Sequence, residues 1–123
     1  MPSTTAGRVP VVYGSVLLNP AGRFAERAVL SSLGWAPGTP IDIRLVLPGV
    51  LVVVEAGGGE YAIARNGQLP IPSPVRRRAA LRIGHRVLLA AYPHENRLIV
   101  VGQIALDTLL TDVRSLIDGG EQQ

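Results

Sequence analysis

Two stretches of this chain lay down the same order of elements, and that doubling constrains the fold more than any other feature. Residues 61–101 read as a strand (Tyr61–Arg65), a turn (Asn66-Gly67), a helix (Pro74–Leu81), a strand (Val87–Tyr92), a turn (Pro93–Asn96) and a strand (Arg97–Val101). Residues 11–54 carry the same succession. A β run, Val11–Leu18, is interrupted by Gly14, and Asn19–Gly22 makes a turn. Phe24–Leu33 has the apolar spacing of a short amphipathic helix that Gly34 stops. After a turn at Pro37-Gly38, the strands Ile41–Val46 and Val50–Val54 flank Pro48-Gly49. Setting Gly22 on Gly67 brings Ile41 to Val87, a period of about 45 residues. A unit of that length cannot bury enough apolar surface alone. The expectation is one body made of two halves, 11–55 and 61–103, joined by a glycine linker at 56–60 and sharing one core.

The second half contains the most patterned stretch, Asn66 to Val87. It opens with a turn dipeptide suited to positive φ, passes through a short proline-bounded strand run at Leu69–Ile71, and starts a helix at Pro72 and Pro74, where proline is tolerated. Gly84 then ends the basic segment before the next strand. Gly67, Leu69, Ile71, Pro72, Val75, Arg76, Leu81, Gly84, Arg86 and Val87 fall at ungapped spacing. This order resembles the AbrB/MazE/SpoVT family of swapped-hairpin DNA-binding domains. Gln68, Ala80 and His85 depart from it, standing where the family has a basic residue, a glycine and an aspartate. The resemblance covers about a fifth of the chain. It implies a mostly β fold with short helices: a pseudo-dimeric AbrB-like β-barrel of two tandem repeats, closed within one chain, with a C-terminal amphipathic helix added. Exchange between two chains is the alternative arrangement. The same resemblance implies a transcription regulator that binds double-stranded DNA in the bacterial cytoplasm, associated with the nucleoid.

Charge placement points the same way. Net charge is only +3, yet Arg65, Arg76, Arg77, Arg78, Arg82 and Arg86 lie between Tyr61 and Pro93 with no acidic residue among them. A local basic face on a nearly balanced protein marks a polyanion site. Arginine's planar fork matches phosphate oxygens or the edge of guanine. The first half offers Arg23 and Arg27 around Glu26, so one chain would carry a lopsided site. Of these residues, Arg76 matches the family motif, Arg77 matches many members, and Arg78 has only its charge to commend it. The competing reading of the triple arginine is a solvated helix face.

Composition closes other routes. With 47% hydrophobic but 4% aromatic residues, the core must be built from Val, Leu, Ile and Ala, which with the many Gly and Pro favours small β architecture over a bundle. There is no cysteine, so disulfides, thiolate metal sites and a cysteine nucleophile are excluded. His85 and His94 lack metal-ligand spacing, Gly57-Gly58-Gly59 precedes no helix, and Gly14-Ser15 is too common a pair to argue self-cleavage. No enzyme, metal or cofactor is expected. No run approaches the ~18 apolar residues of a membrane span.

Residues 1–10 read as a disordered arm and 119–123 as a flexible tail. Between the barrel and that tail, Ile104–Asp118 is a helix with Leu106, Leu109, Leu110, Val113, Leu116 and Ile117 on one stripe. The stripe either packs on its own barrel or pairs with another copy or a partner protein. Two further roles follow from it: an antitoxin whose tail holds a toxin, or an assembly module of the same fold with weak or lost DNA binding.

Overall fold

A computed structural model describes residues 10–121; the arm expected over 1–10 falls almost entirely outside them. The chain runs β1 (Val12–Leu17), β2 (Arg23–Phe24), α1 (Arg27–Leu33), β3 (Pro40–Leu47), β4 (Val50–Glu55), β5 (Tyr61–Ala62), β6 (Leu69–Pro70), α2 (Ser73–Ala79), β7 (Arg86–Tyr92), a 3-10 turn at Pro93–Glu95, β8 (Arg97–Val101) and α3 (Gln103–Glu121). The protein is mostly β, with an antiparallel six-stranded sheet in the order β1-β7-β8-β4-β3-β5 and a separate two-stranded ribbon, β2-β6.

Strand exchange sets this order. β1, from the first half, pairs not with its own hairpin but with β7, Val12 opposite Ala91 through Leu17 opposite Arg86. β5, from the second half, pairs with β3 of the first. The halves meet at the centre, where Leu51 faces Val100 and Val53 faces Leu98 across β4 and β8, all four fully buried. α1 and α2 and the ribbon pack over this inner face, adding Val29, Leu30, Val75, Ala79, Phe24 and Leu69 to the core. Among the described residues no polar or charged side chain is buried.

The sheet does not close. β1 and β5 are its two edges. A closed barrel would need them to join, but β5 is only two residues long, and from Ala64 the chain bends into the Asn66-Gly67 turn, its backbone bonds going to Gln68 instead of to a strand. The expected first helix is also shorter. Phe24 is extended and pairs with Leu69, and α1 begins only after Glu26, whose carboxylate accepts from the Ala28 N–H as its N-cap. Nor does Gly14 interrupt β1: a Cβ there would collide with a Glu26 carboxylate oxygen, so glycine lets the cap cross the strand. The C-terminal helix runs on through Gly119 and Gly120, past its expected end at Asp118.

The outer face of the sheet is apolar too. Register aligns Leu88, Val101, Val50 and Leu47 in one row across four strands, and Ala90, Ile99 and Val52 in the next. All of them are half-buried or exposed, since no layer covers this side.

Ala80, where the sequence resemblance leads to the expectation of a glycine, sits in a conformation that favours glycine. It caps α2 in the left-handed region at φ 58°, ψ 36°, as Gly34 caps α1 at φ 71°, ψ 21°. An alanine pays a Cβ–carbonyl clash in that conformation. Ala80→Gly is expected to stabilise the fold by about 0.5–1 kcal/mol, seen as a rise of roughly 2–5 °C in Tm by thermal denaturation.

Candidate nucleic-acid interface

The side of the molecule carrying α1, α2 and the ribbon holds most of the expected arginines. Arg77 and Arg78 are exposed on α2, Arg27 is exposed at the start of α1, and Arg82 is exposed in the loop after α2. Arg65 is exposed beside the Asn66-Gly67 turn, and Arg23 is half-buried on the ribbon. The first-half helix and the second-half turn meet: Arg27, Leu30, Ser31 and Trp35 line an open cleft of about 510 Å³ together with Asn66 and Gly67. α1 packs on β1 and β7 while α2 packs on β3, so the exposed cations of the two helices sit over opposite ends of the sheet.

Arg76, the arginine carried most firmly by the motif, is occupied elsewhere. Its Nη1 donates to the Ile71 carbonyl at 2.5 Å, and the guanidinium lies over Gly22 so closely that a Cβ there would fall inside it. Gly22 has φ +74° and its own carbonyl accepts from the Ile71 N–H. Arg76 thus fastens the Asn19–Gly22 turn of one half to the ribbon strand of the other. At the matching place on α1 stands Leu30, buried and lining the cleft beside Gly67. One half covers its partner's glycine turn with an arginine; the other leaves Gly67 open, since a Cβ there would meet nothing within 4 Å.

Arg86 also departs from expectation. It lies on the outer face of the sheet, donating to the Ser15 hydroxyl at 3.0 Å, on the opposite side from the helices. Strand alternation decides this, because Val87 turns inward. Arg97 pairs with Glu95. Among the described residues, Arg23, Arg27, Arg65, Arg77, Arg78 and Arg82 make no side-chain hydrogen bond or ion pair. Arg78 does act on Tyr61. The phenol's pKa is raised by its hydrogen bond to Glu60, then by desolvation and the charges of Glu60 and Asp42, while Arg78 opposes them.

His85 and His94 stand at opposite ends of β7, both exposed, and no cluster of metal-ligating side chains occurs among the described residues. Gly59 lies against the Ile41 backbone in a tight turn, so the glycine run is a connector and no phosphate cradle. Sequence reasoning missed one polar junction: Trp35 Nε1 donates to Asn96 Oδ1 at 2.8 Å, and Asn96 Nδ2 donates to Glu55 at 2.6 Å. Asn96 holds φ 54°, which asparagine tolerates, and a turn-forming Asn after Pro93 was the one signal available.

α3 is the other exposed feature. It meets the body at its first turn, where Ala105 lies against Gly49. Beyond Leu106 its apolar stripe is open: Leu109, Leu110, Val113, Leu116 and Ile117 are 40–77% exposed. Packing of this stripe on its own body does not occur. Among the described residues no helix is long and apolar enough to cross a membrane.

No family model, curated protein or solved structure matches the chain.

The position of Arg76 separates a fastening role from a contact role. Arg76→Ala is expected to cost about 1.5–3 kcal/mol, since it strips a charge-assisted bond from a backbone carbonyl at the junction of the halves, and chemical denaturation reads this directly. Arg77→Ala should leave stability within about 0.5 kcal/mol.

Proposed function

We propose that this chain is a DNA-binding regulator that grips the phosphate backbone with arginines on its helix side and works as a homodimer or larger assembly through α3. The observation that carries the reading is a set of arginines, Arg23, Arg27, Arg65, Arg77, Arg78 and Arg82, that make no side-chain hydrogen bond or ion pair among the described residues and are carried on α1, α2, the ribbon and the loops beside them. Their chemistry suits phosphate: each supplies a fixed fork of donors and a permanent charge. Arg76 supports the interface by holding its frame, and Arg86 belongs to the other face.

The pairing scheme supports a tandem swapped-hairpin origin. Exchanging the two halves turns β1-β7-β8-β4-β3-β5 into its own reverse, with β2-β6 and β4-β8 as the self-related pairs. Such a chain is what two crossed hairpins become when fused. It is a reading of the topology as a pseudo-dimeric, barrel-like fold that leaves its edges open. The halves are unequal in charge, because α2 carries three arginines where α1 carries one. A single chain would therefore bind DNA weakly and without sequence preference, at about 10⁻⁴ to 10⁻⁶ M. Self-association would present two basic sides and favour a palindromic site. A cytoplasmic, nucleoid-associated setting follows from this reading.

A second reading has its own observation. α3 displays an uncovered apolar stripe, and the firmest motif arginine is structural, so the chain also suits an interaction or assembly module, or an antitoxin whose tail holds a partner protein.

Titration of duplex DNA at about 50 and about 200 mM salt tests the first reading. Binding is expected to fall steeply with salt, and Arg27→Ala/Arg77→Ala should reduce the slope of log K against log salt by about 2, one unit for each phosphate no longer neutralised. No binding at the lower salt, or a slope unchanged in the double variant, overturns it in favour of the module.

A further inference from the structure

We propose that the outer face of the six-stranded sheet is the docking surface for α3 of a second copy of this chain, the two copies exchanging helices reciprocally. The inference rests on the reading of α3 as the self-association element and assigns the surface it meets.

Covalent connection keeps α3 off its own sheet. A single residue, Gly102, separates β8 from α3. That residue is tied down: its N–H donates to the Gly49 carbonyl at 2.7 Å, and its own carbonyl accepts from Leu106 at 3.1 Å. A Cβ on Gly102 would collide with the buried Leu81 side chain, and one on Gly49 would meet Ala105. Reversing a chain from a strand to a helix laid back across the same sheet takes a loop of about 2–6 residues. One pinned glycine gives no such slack. The stripe and the sheet face, both apolar and both uncovered, cannot meet within one molecule and can meet between two.

Shape and charge fit. The outer face carries a cleft of about 360 Å³ with a floor of Val46, Val52 and Val54 and guanidinium walls from Arg44 and Arg97. The longer of the two apolar rows spans four strands, about 15 Å at normal strand spacing, enough to seat a helix about 10 Å across. α3 is the acidic part of the chain. At 100° per residue, Asp112 borders one edge of its stripe, and Arg114, then Asp107 and Asp118, border the other. The outer face of the sheet carries Arg44, Arg86 bonded to Ser15, and Arg97 paired with Glu95, with Asp42 in register opposite Val54. An apolar ridge flanked by three aspartates and Arg114 meets an apolar floor flanked by Arg44, Arg97 and Asp42, a net acidic edge against a net basic one. Because each chain owns one ridge and one floor, a two-fold exchange satisfies both without leaving a half free to propagate. It also doubles the surface a single helix buries, toward the roughly 800 Å² per partner of a stable interface. The sheet face lies opposite the helix side, so the exchange leaves the arginines of both copies facing outward.

The test uses the full chain, whose lack of cysteine makes any introduced thiol unique. Light scattering after gel filtration should give twice 13.0 kDa for the wild type. Leu116→Glu, at a site 77% exposed, and Val52→Glu, on the outer face, should each weaken association at least ~10-fold while far-UV circular dichroism stays unchanged. As a check free of folding effects, Leu110→Cys chains mixed with Val52→Cys chains and treated with a short bis-maleimide should link to one another more than either links to itself. A monomeric wild type overturns both the self-association reading and the docking surface. Linking of Leu110→Cys chains only to themselves overturns the docking surface alone and assigns the contact to paired α3 helices.

Discussion

The ladder between β4 and β8 is the interaction on which the rest of the molecule depends. Leu51, Val53, Leu98 and Val100 meet there with no exposed surface, two residues from each half. Neither half owns a core of its own, so removing water from these side chains is possible only when both halves are present. Everything else is arranged on the two sides of this seam. β1 and β5 cross to the opposite half, and the ribbon draws Phe24 against Leu69 over the inner face.

Crossing of strands explains why the polar junctions sit between halves. Arg76 reaches from α2 to a turn and a ribbon strand that involve both, and Asn96 joins Trp35 of one half to the β7–β8 turn of the other and to Glu55. Each is a directional bond added where apolar burial alone would leave register loose. The chemistry that remains free is then dictated by what the junctions leave over. Eight arginines have no bond of this kind among the described residues: six on the helices, the ribbon and the loops beside them, Arg44 on the sheet and Arg114 on α3. The side opposite α1 and α2 is a bare apolar sheet next to a bare apolar helix.

Much of this was legible in the residues themselves. Alternation and turn chemistry located β3, β4, β7 and β8 within a residue or so. Glycines at Gly34 and Gly84 marked true left-handed positions, and the Ala80 departure from the motif fell on one as well. The failures have physical causes. Phe24 has the spacing of a helix residue, but pairing with Leu69 across 45 positions holds it extended, and no local pattern records a partner so distant. Arg76 looks like its neighbours in a basic run, and only the approach of Gly22 turns it into a fastener.

The sequence by itself determined the elements, the glycine turns and the charge of each segment, because propensity, φ preference and ionisation are local properties. Tertiary structure alone decided which arginines stay free, that the sheet remains open at β1 and β5, and that α3 stands away from the body. Those outcomes depend on which strand finds which partner, and on a one-residue connector at Gly102 held to Gly49 fifty-three positions earlier in the chain. Long-range pairing of that kind is settled by the burial of shared surface, which exists only once the halves have met.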